Sequence, residues 1–171
     1  MNSNSTIQLP RPTAILWDLD GTLIDQTAAI IRCYREVILD MGYPQPDDNA
    51  IRRSLGGVMA ATMGLFVEAE HMDEACKAFR KRFPEIMFDG LILLAGGIEL
   101  IERVYKARIP QVIFTNKHGD TARKVSRYGG FAKYIPICIG GADTQWHKPQ
   151  LALTQHVLDQ IEVSAKGSII I

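Results

Sequence analysis

Asp18-Leu19-Asp20-Gly21-Thr22 places two carboxylates two residues apart, directly after the apolar run Thr13-Ala14-Ile15-Leu16-Trp17. Alternate side chains of an extended segment share a side, so Asp18 and Asp20 point the same way. Such a pair can do three jobs. One carboxylate can attack phosphorus, and the other can give and take a proton. Together they offer the hard oxygen ligands that Mg²⁺ prefers. Gly21 allows the chain to turn sharply behind them. An Asp-Gly turn that caps the next helix would use the same residues without any chemistry, and spacing alone leaves both readings open.

Phe114-Thr115-Asn116-Lys117 ends a second apolar run. Ligands of open α/β sheets bind in the crevice at the carboxyl ends of the strands. A Thr hydroxyl and a backbone N–H at that point could hold phosphate oxygens; a polar loop with a helix cap is the plainer account. His147-Lys148-Pro149 is the third group. Lys148 could set a compact positive charge against phosphate and the Asp18 carboxylate, although most lysines are simply solvated. Trp146 and His147 read as packing or rim residues. His118, beside the second group, is a candidate substrate contact, whereas His71 and His156 read as exposed helical residues. No His/Cys set has zinc-ligand spacing.

The elements that must position these groups are visible as apolar runs. Strands are expected at Thr13 to Trp17, Val112 to Phe114, Ile135 to Ile139 and Ser168 to Ile171. Continuous rather than alternating apolar strands predict a parallel sheet covered on both faces. Ile30, Ile31, Tyr34, Val37, Ile38 and Met41 fall on helical spacing, and Gly42 suits the stop. A second helix is expected through Ile98, Ile101, Val104 and Tyr105, and a third between Asp120 and Tyr128. A fourth has Pro149 in its first turn. Strand and helix alternate, so the fold class is α/β. From about Gln26 to Leu94 the pattern is helical without a strand: Asp47 to Leu55, Met59 to Glu70, and Asp73 to Phe83, with Pro84 ending the last. Residues 1–12 read as a polar lead-in.

Composition narrows the function classes. The 171 residues are 47% hydrophobic and 22% charged, which is globular. Nineteen Lys plus Arg balance nineteen Asp plus Glu, so no nucleic-acid partner is expected. No apolar run reaches the roughly 18 residues of a membrane span. Cys33, Cys76 and Cys138 are odd in number and far apart, as expected of buried thiols in a reducing compartment. The reading is a cytoplasmic protein.

The three groups, in this order and each after a strand, resemble the haloacid dehalogenase superfamily. Asp18 to Thr22 matches its DxDGT motif, Thr115 its second motif and Lys148 its third. Thr115-Asn116-Lys117 looks like the phosphoglycolate phosphatase branch. Gly56-Gly57 and the return segment Leu93 to Ile98 look like landmarks of a helical cap. The resemblance implies a Rossmann-like core over 1–24 and 95–171 with a helical cap over 25–94. It implies a Mg²⁺-dependent phosphatase that hydrolyses a small, phosphoglycolate-like metabolite. Asp18 would become an aspartyl-phosphate, Asp20 would act as acid and base, and Lys148 would neutralise charge. Gly21, Thr22, Thr115 and Asn116 would hold substrate, with Mg²⁺ on Asp18 and the Asp20 carbonyl. A sugar-phosphate mutase of the same superfamily and a catalytically impaired binding relic are the alternatives.

One departure is plain. The superfamily carries a fourth, acidic motif after the fourth core strand, and no acid follows Ser168 to Ile171 in this sequence. The expectation is either a fragment of a longer protein or incomplete metal binding. An exposed apolar edge at that strand would invite association, a homodimer included.

Overall fold

The computed structural model describes residues 10–171; the first nine residues of the expected lead-in lie outside the described part. Ile15, Leu16 and Trp17 form β1 (Ile15–Trp17), which is buried throughout. The chain continues as β2 (Ile24–Asp25), α1 (Thr27–Asp40), α2 (Asp48–Ser54), α3 (Met59–Met63), α4 (Met72–Ile86) and β3 (Ile92–Leu93). It then runs through α5 (Gly97–Lys106), β4 (Gln111–His118), α6 (Gly119–Tyr128), β5 (Cys138–Gly141), α7 (Leu151–Gln160) and β6 (Ile169–Ile170). The main sheet has the order β5-β4-β1-β6, and every pairing in it is parallel. The fold is α/β, as the apolar runs predict.

Neighbouring residues of β1 serve opposite faces. Ile15 and Trp17 pack in one cluster with Ile101, Val104, Ala122 and Val125, from α5 and α6. Ala14 and Leu16 pack in another with Leu153, Val157 and Leu158, from α7. This two-sided burial is why the strands carry no polar alternation. Each fully buried Leu or Ile contributes roughly 1.5–3 kcal/mol to holding these layers together. A polar thread crosses the first face: Trp17 Nε1 donates to Gln111 Oε1 at 3.0 Å, and Gln111 Nε2 donates to the Ile101 carbonyl at 3.2 Å. It satisfies groups whose burial without partners would be costly.

Several boundaries differ from the sequence reading, each for a local reason. Pro84 sits inside α4 rather than ending it; so near the C-terminus it costs one helical hydrogen bond, and the helix runs on to Ile86. Met59 to Glu70 is not one helix: α3 stops at Met63, Gly64 is its cap, and a short 3₁₀ turn follows at Ala69–His71. α7 starts at Leu151, after Pro149, because Lys148 is bound through its backbone to Asn116. β5 starts only at Cys138. β2 and β3 pair antiparallel, Ile24 with Leu93 and Asp25 with Ile92, so the helices α1 to α4 leave and rejoin the chain at one ribbon. Two-residue strands are too short to show in an apolar pattern. Cys33 and Cys76 are buried and Cys138 half-buried, all free; burial pushes the Cys33 thiol up to about 12.

β4 continues past Thr115 to His118, pairing His118 with Gly141 across a register shift. Gly140 permits this close approach. A Cβ there would lie 2.6 Å from the Lys117 carbonyl oxygen and 2.7 Å from the Gly119 nitrogen. Gly140→Ala is therefore expected to destabilise the fold by about 1–3 kcal/mol, read as a melting temperature lower by several degrees in circular dichroism. An unchanged melting temperature would show that the strands can part there at no cost.

Candidate active site

Asp18 is the residue immediately after β1. Its amide donates to the Ile171 carbonyl at 2.7 Å, which fixes it in register with the edge strand. Its Oδ1 accepts from the Leu19 amide at 2.7 Å. The next residues coil tightly. Gly21, at φ +83°, donates to the Ile24 carbonyl at 2.7 Å, and Leu23 donates to the Leu19 carbonyl at 3.0 Å. That left-handed conformation is open to glycine without strain, and it returns the chain to the ribbon at β2.

Two lysines meet the two carboxylates. Lys148 Nζ lies 2.6 Å from Asp18 Oδ1. Lys117 Nζ lies 3.1 and 3.2 Å from the two oxygens of Asp20. The cluster is thus charge-balanced at the carboxyl end of the sheet. Thr115 is buried, and its Oγ1 accepts from the Lys117 amide at 3.2 Å. The Asn116 side chain is fully engaged with backbone. Its Nδ2 donates to the carbonyls of Gly56 and Lys148, at 2.9 and 3.2 Å, and its Oδ1 accepts from the Lys148 amide at 2.9 Å.

Apart from Lys148, which reaches Asp18 from outside its lining, these groups face a cleft of about 800 Å³ between the sheet end and the helical segment. Asp18, Asp20, Gly21, Thr115 and Asn116 line it, as do His118 and His147; Thr22 lies in the turn behind and does not. Arg52, Arg80 and Lys124 add positive charge to its walls, a disposition that draws in anions. Beneath one wall, Asp143 accepts from Arg123 Nη1 at 2.6 Å and from the Gly140 amide at 2.8 Å. Burial acts to raise the Asp143 carboxyl, but these donors together hold it below the ordinary value. The stability it contributes is present above the unfolded carboxylate range and is lost as pH falls through the folded value.

Lys117 is the functional candidate to which the sequence assigned no role. The signal was available: once β4 is known to run to His118, Thr115 and Lys117 fall on one side of it by simple alternation. The fitness of the site for Mg²⁺ rests on its donor chemistry. Asp18 Oδ2 and the Asp20 carbonyl oxygen receive no protein hydrogen bond among the described residues. Both are hard oxygens of the kind Mg²⁺ takes. Glu68, Glu70 and His71 also approach one another, but on the exposed surface of the helical segment and not in the cleft.

Residues 15–171 match the family pattern of haloacid dehalogenase-like hydrolases. The chain belongs to that family. It is 29% identical over 143 residues to a phosphoglycolate phosphatase of Rhodobacter capsulatus, a match covering 80% of this chain and 65% of that one. It is 24% identical over 150 residues to the tyrosine-protein kinase PtkA of Mycobacterium tuberculosis, covering 88% of this chain and 52% of that one. The chain thus spans between about half and two thirds of the length of these curated relatives. A haloacid dehalogenase-like family protein from Streptococcus pneumoniae has the same fold, with a TM-score of 0.82, 22% identity, and coverage of 93% of this chain and 74% of that one. Within the family, the resemblance is to the phosphoglycolate phosphatase-like branch. No helix among the described residues is long and apolar enough to cross a membrane.

Proposed function

We propose that this chain carries the catalytic centre of a phosphatase that hydrolyses a small phosphorylated metabolite through an aspartyl-phosphate on Asp18. The observation that carries the reading is the 2.6 Å contact of Lys148 with Asp18, which lines a cleft together with Asp20 and Thr115. A carboxylate held by an ammonium and a backbone amide is an oriented nucleophile.

An Asp18 carboxylate oxygen bonds to phosphorus as the ester P–O bond breaks, and the departing alkoxide takes the proton of Asp20. Water then attacks the aspartyl-phosphate and gives its proton to Asp20, releasing inorganic phosphate and restoring Asp18. Thr115 Oγ1 and backbone amides hold phosphoryl oxygens, and Lys148 offsets the charge that gathers on them. The Asp18 carboxylate and the Asp20 carbonyl would hold Mg²⁺, which supplies charge neutralisation to the phosphoryl oxygens when bound. The segment from α1 to α4 acts as a cap, excluding water and adding substrate contacts. The reading includes a phosphoglycolate-like substrate.

The test is phosphate release by the full-length protein from a panel of phosphomonoesters, with and without Mg²⁺. Steady, Mg²⁺-dependent release supports a phosphatase. Transfer of the phosphoryl group between sugar positions, without release, would make it a mutase. Phosphate binding without turnover would make it a relic.

A further inference from the structure

We propose that Asn116-Lys117 is a positioning pair that ties the seating of the helical segment to the geometry of the two carboxylates. The proposal rests on the phosphatase reading. Each residue of the pair makes one attachment to the catalytic cluster and one to the helical segment.

Lys117 grips both oxygens of Asp20, at 3.1 and 3.2 Å. Its side chain is only 6% exposed, and its Nζ lies 4.9 Å from the centre of the Phe83 ring, which belongs to α4. A buried ammonium depends on such partners, because it has given up its water. Asn116 acts on the other carboxylate at one remove. Its amide pairs with both the N–H and the carbonyl of Lys148, fixing the backbone from which Nζ reaches Asp18. The same amide donates to Gly56 in the loop between α2 and α3, where φ is +95°.

The consequence is mechanical. Lifting the helical segment removes the Phe83 ring from Lys117 and the Gly56 carbonyl from Asn116 in one movement. Each residue then loses part of what fixes its hold on Asp20 or on Lys148. Full catalytic geometry is reached only with the segment seated. Neither residue needs to touch substrate for this to work.

The full-length protein would be compared with Lys117→Met, Lys117→Arg and Asn116→Ala. Steady-state kinetics would use an alkyl phosphate and p-nitrophenyl phosphate, and hydrogen exchange would be followed in the ligand-free state. Displacement of a catalytic group by about 1 Å is worth on the order of 100-fold, so a kcat loss of roughly 10- to 100-fold is expected for Lys117→Met on the alkyl phosphate. The loss should be smaller on p-nitrophenyl phosphate, whose leaving group needs little help from Asp20. Lys117→Arg should recover most of the activity. Exchange should quicken over residues 79–86 in Lys117→Met and over 54–60 in Asn116→Ala. If Lys117→Met fails to fold, Asn116→Ala carries the comparison, with a kcat loss alongside faster exchange. A rise in KM with kcat unchanged would make the residue a substrate contact and overturn the proposal. So would equal losses on both substrates without rescue by Arg, or exchange that does not move. Native protein that hydrolyses phosphomonoesters, beside variants that match it, would sink this proposal alone; native protein that hydrolyses none would sink the phosphatase reading with it.

Discussion

Asp18→Asn is expected to reduce kcat on the order of 10⁴-fold or more while leaving the fold intact. The amide keeps the size of the carboxylate but cannot form the acyl-phosphate. The fold should tolerate the change because Asp18 lies beyond the buried strand, with its side chain 33% exposed. Lys148 would lose its ionic partner, yet at 21% exposure it can still find water. Beryllium fluoride or a labelled substrate should mark Asp18 in the native protein and nothing in the variant. Circular dichroism of the variant should overlay the native trace. Substantial turnover by Asp18→Asn would remove Asp18 from the nucleophile's role and take the aspartyl-phosphate with it.

Asp20→Asn is expected to separate substrates by their leaving groups. Acid–base assistance is typically worth about 10²–10⁴-fold, and it matters most when the departing alcohol is basic. Alkyl phosphates should therefore slow by close to that full amount, and p-nitrophenyl phosphate by much less. The variant also leaves Lys117 without its carboxylate, at a nearly buried position, so some loss of stability should accompany the kinetic one. A uniform slowing of every substrate would make Asp20 an anchor for Lys117 or for the metal, and not an acid.

The apolar runs made the sheet legible because burial on two faces leaves no room for polar residues. Ile15 to Trp17 and Val112 to Phe114 are such runs, and they pair in the sheet. The order of the motifs made Asp18, Asp20 and Thr115 legible, because strand ends of a parallel sheet gather at one crevice. What escaped was set by contacts distant in sequence. The extension of β4 to His118 depends on Gly140 and Gly141, which lie more than twenty residues on. The pairing of Lys117 with Asp20 spans 97 positions and has no local signature. Pro84 reads as a stop by propensity alone, yet within the last turn of α4 it forfeits a single helical hydrogen bond.

The ribbon of β2 and β3 gives the molecule a property of a different kind. Because Ile24 pairs with Leu93 and Asp25 with Ile92, the chain leaves the sheet layer and returns to it at adjacent points. Everything between them is a detour with its two ends clipped together. A longer, shorter or unrelated detour could be spliced between the same two clips without altering the register of the main sheet, since loop closure across already adjacent ends costs little more as the loop grows. The walls of the cleft and the sheet that carries Asp18 are thus separable in the chain, joined through a ribbon two residues wide.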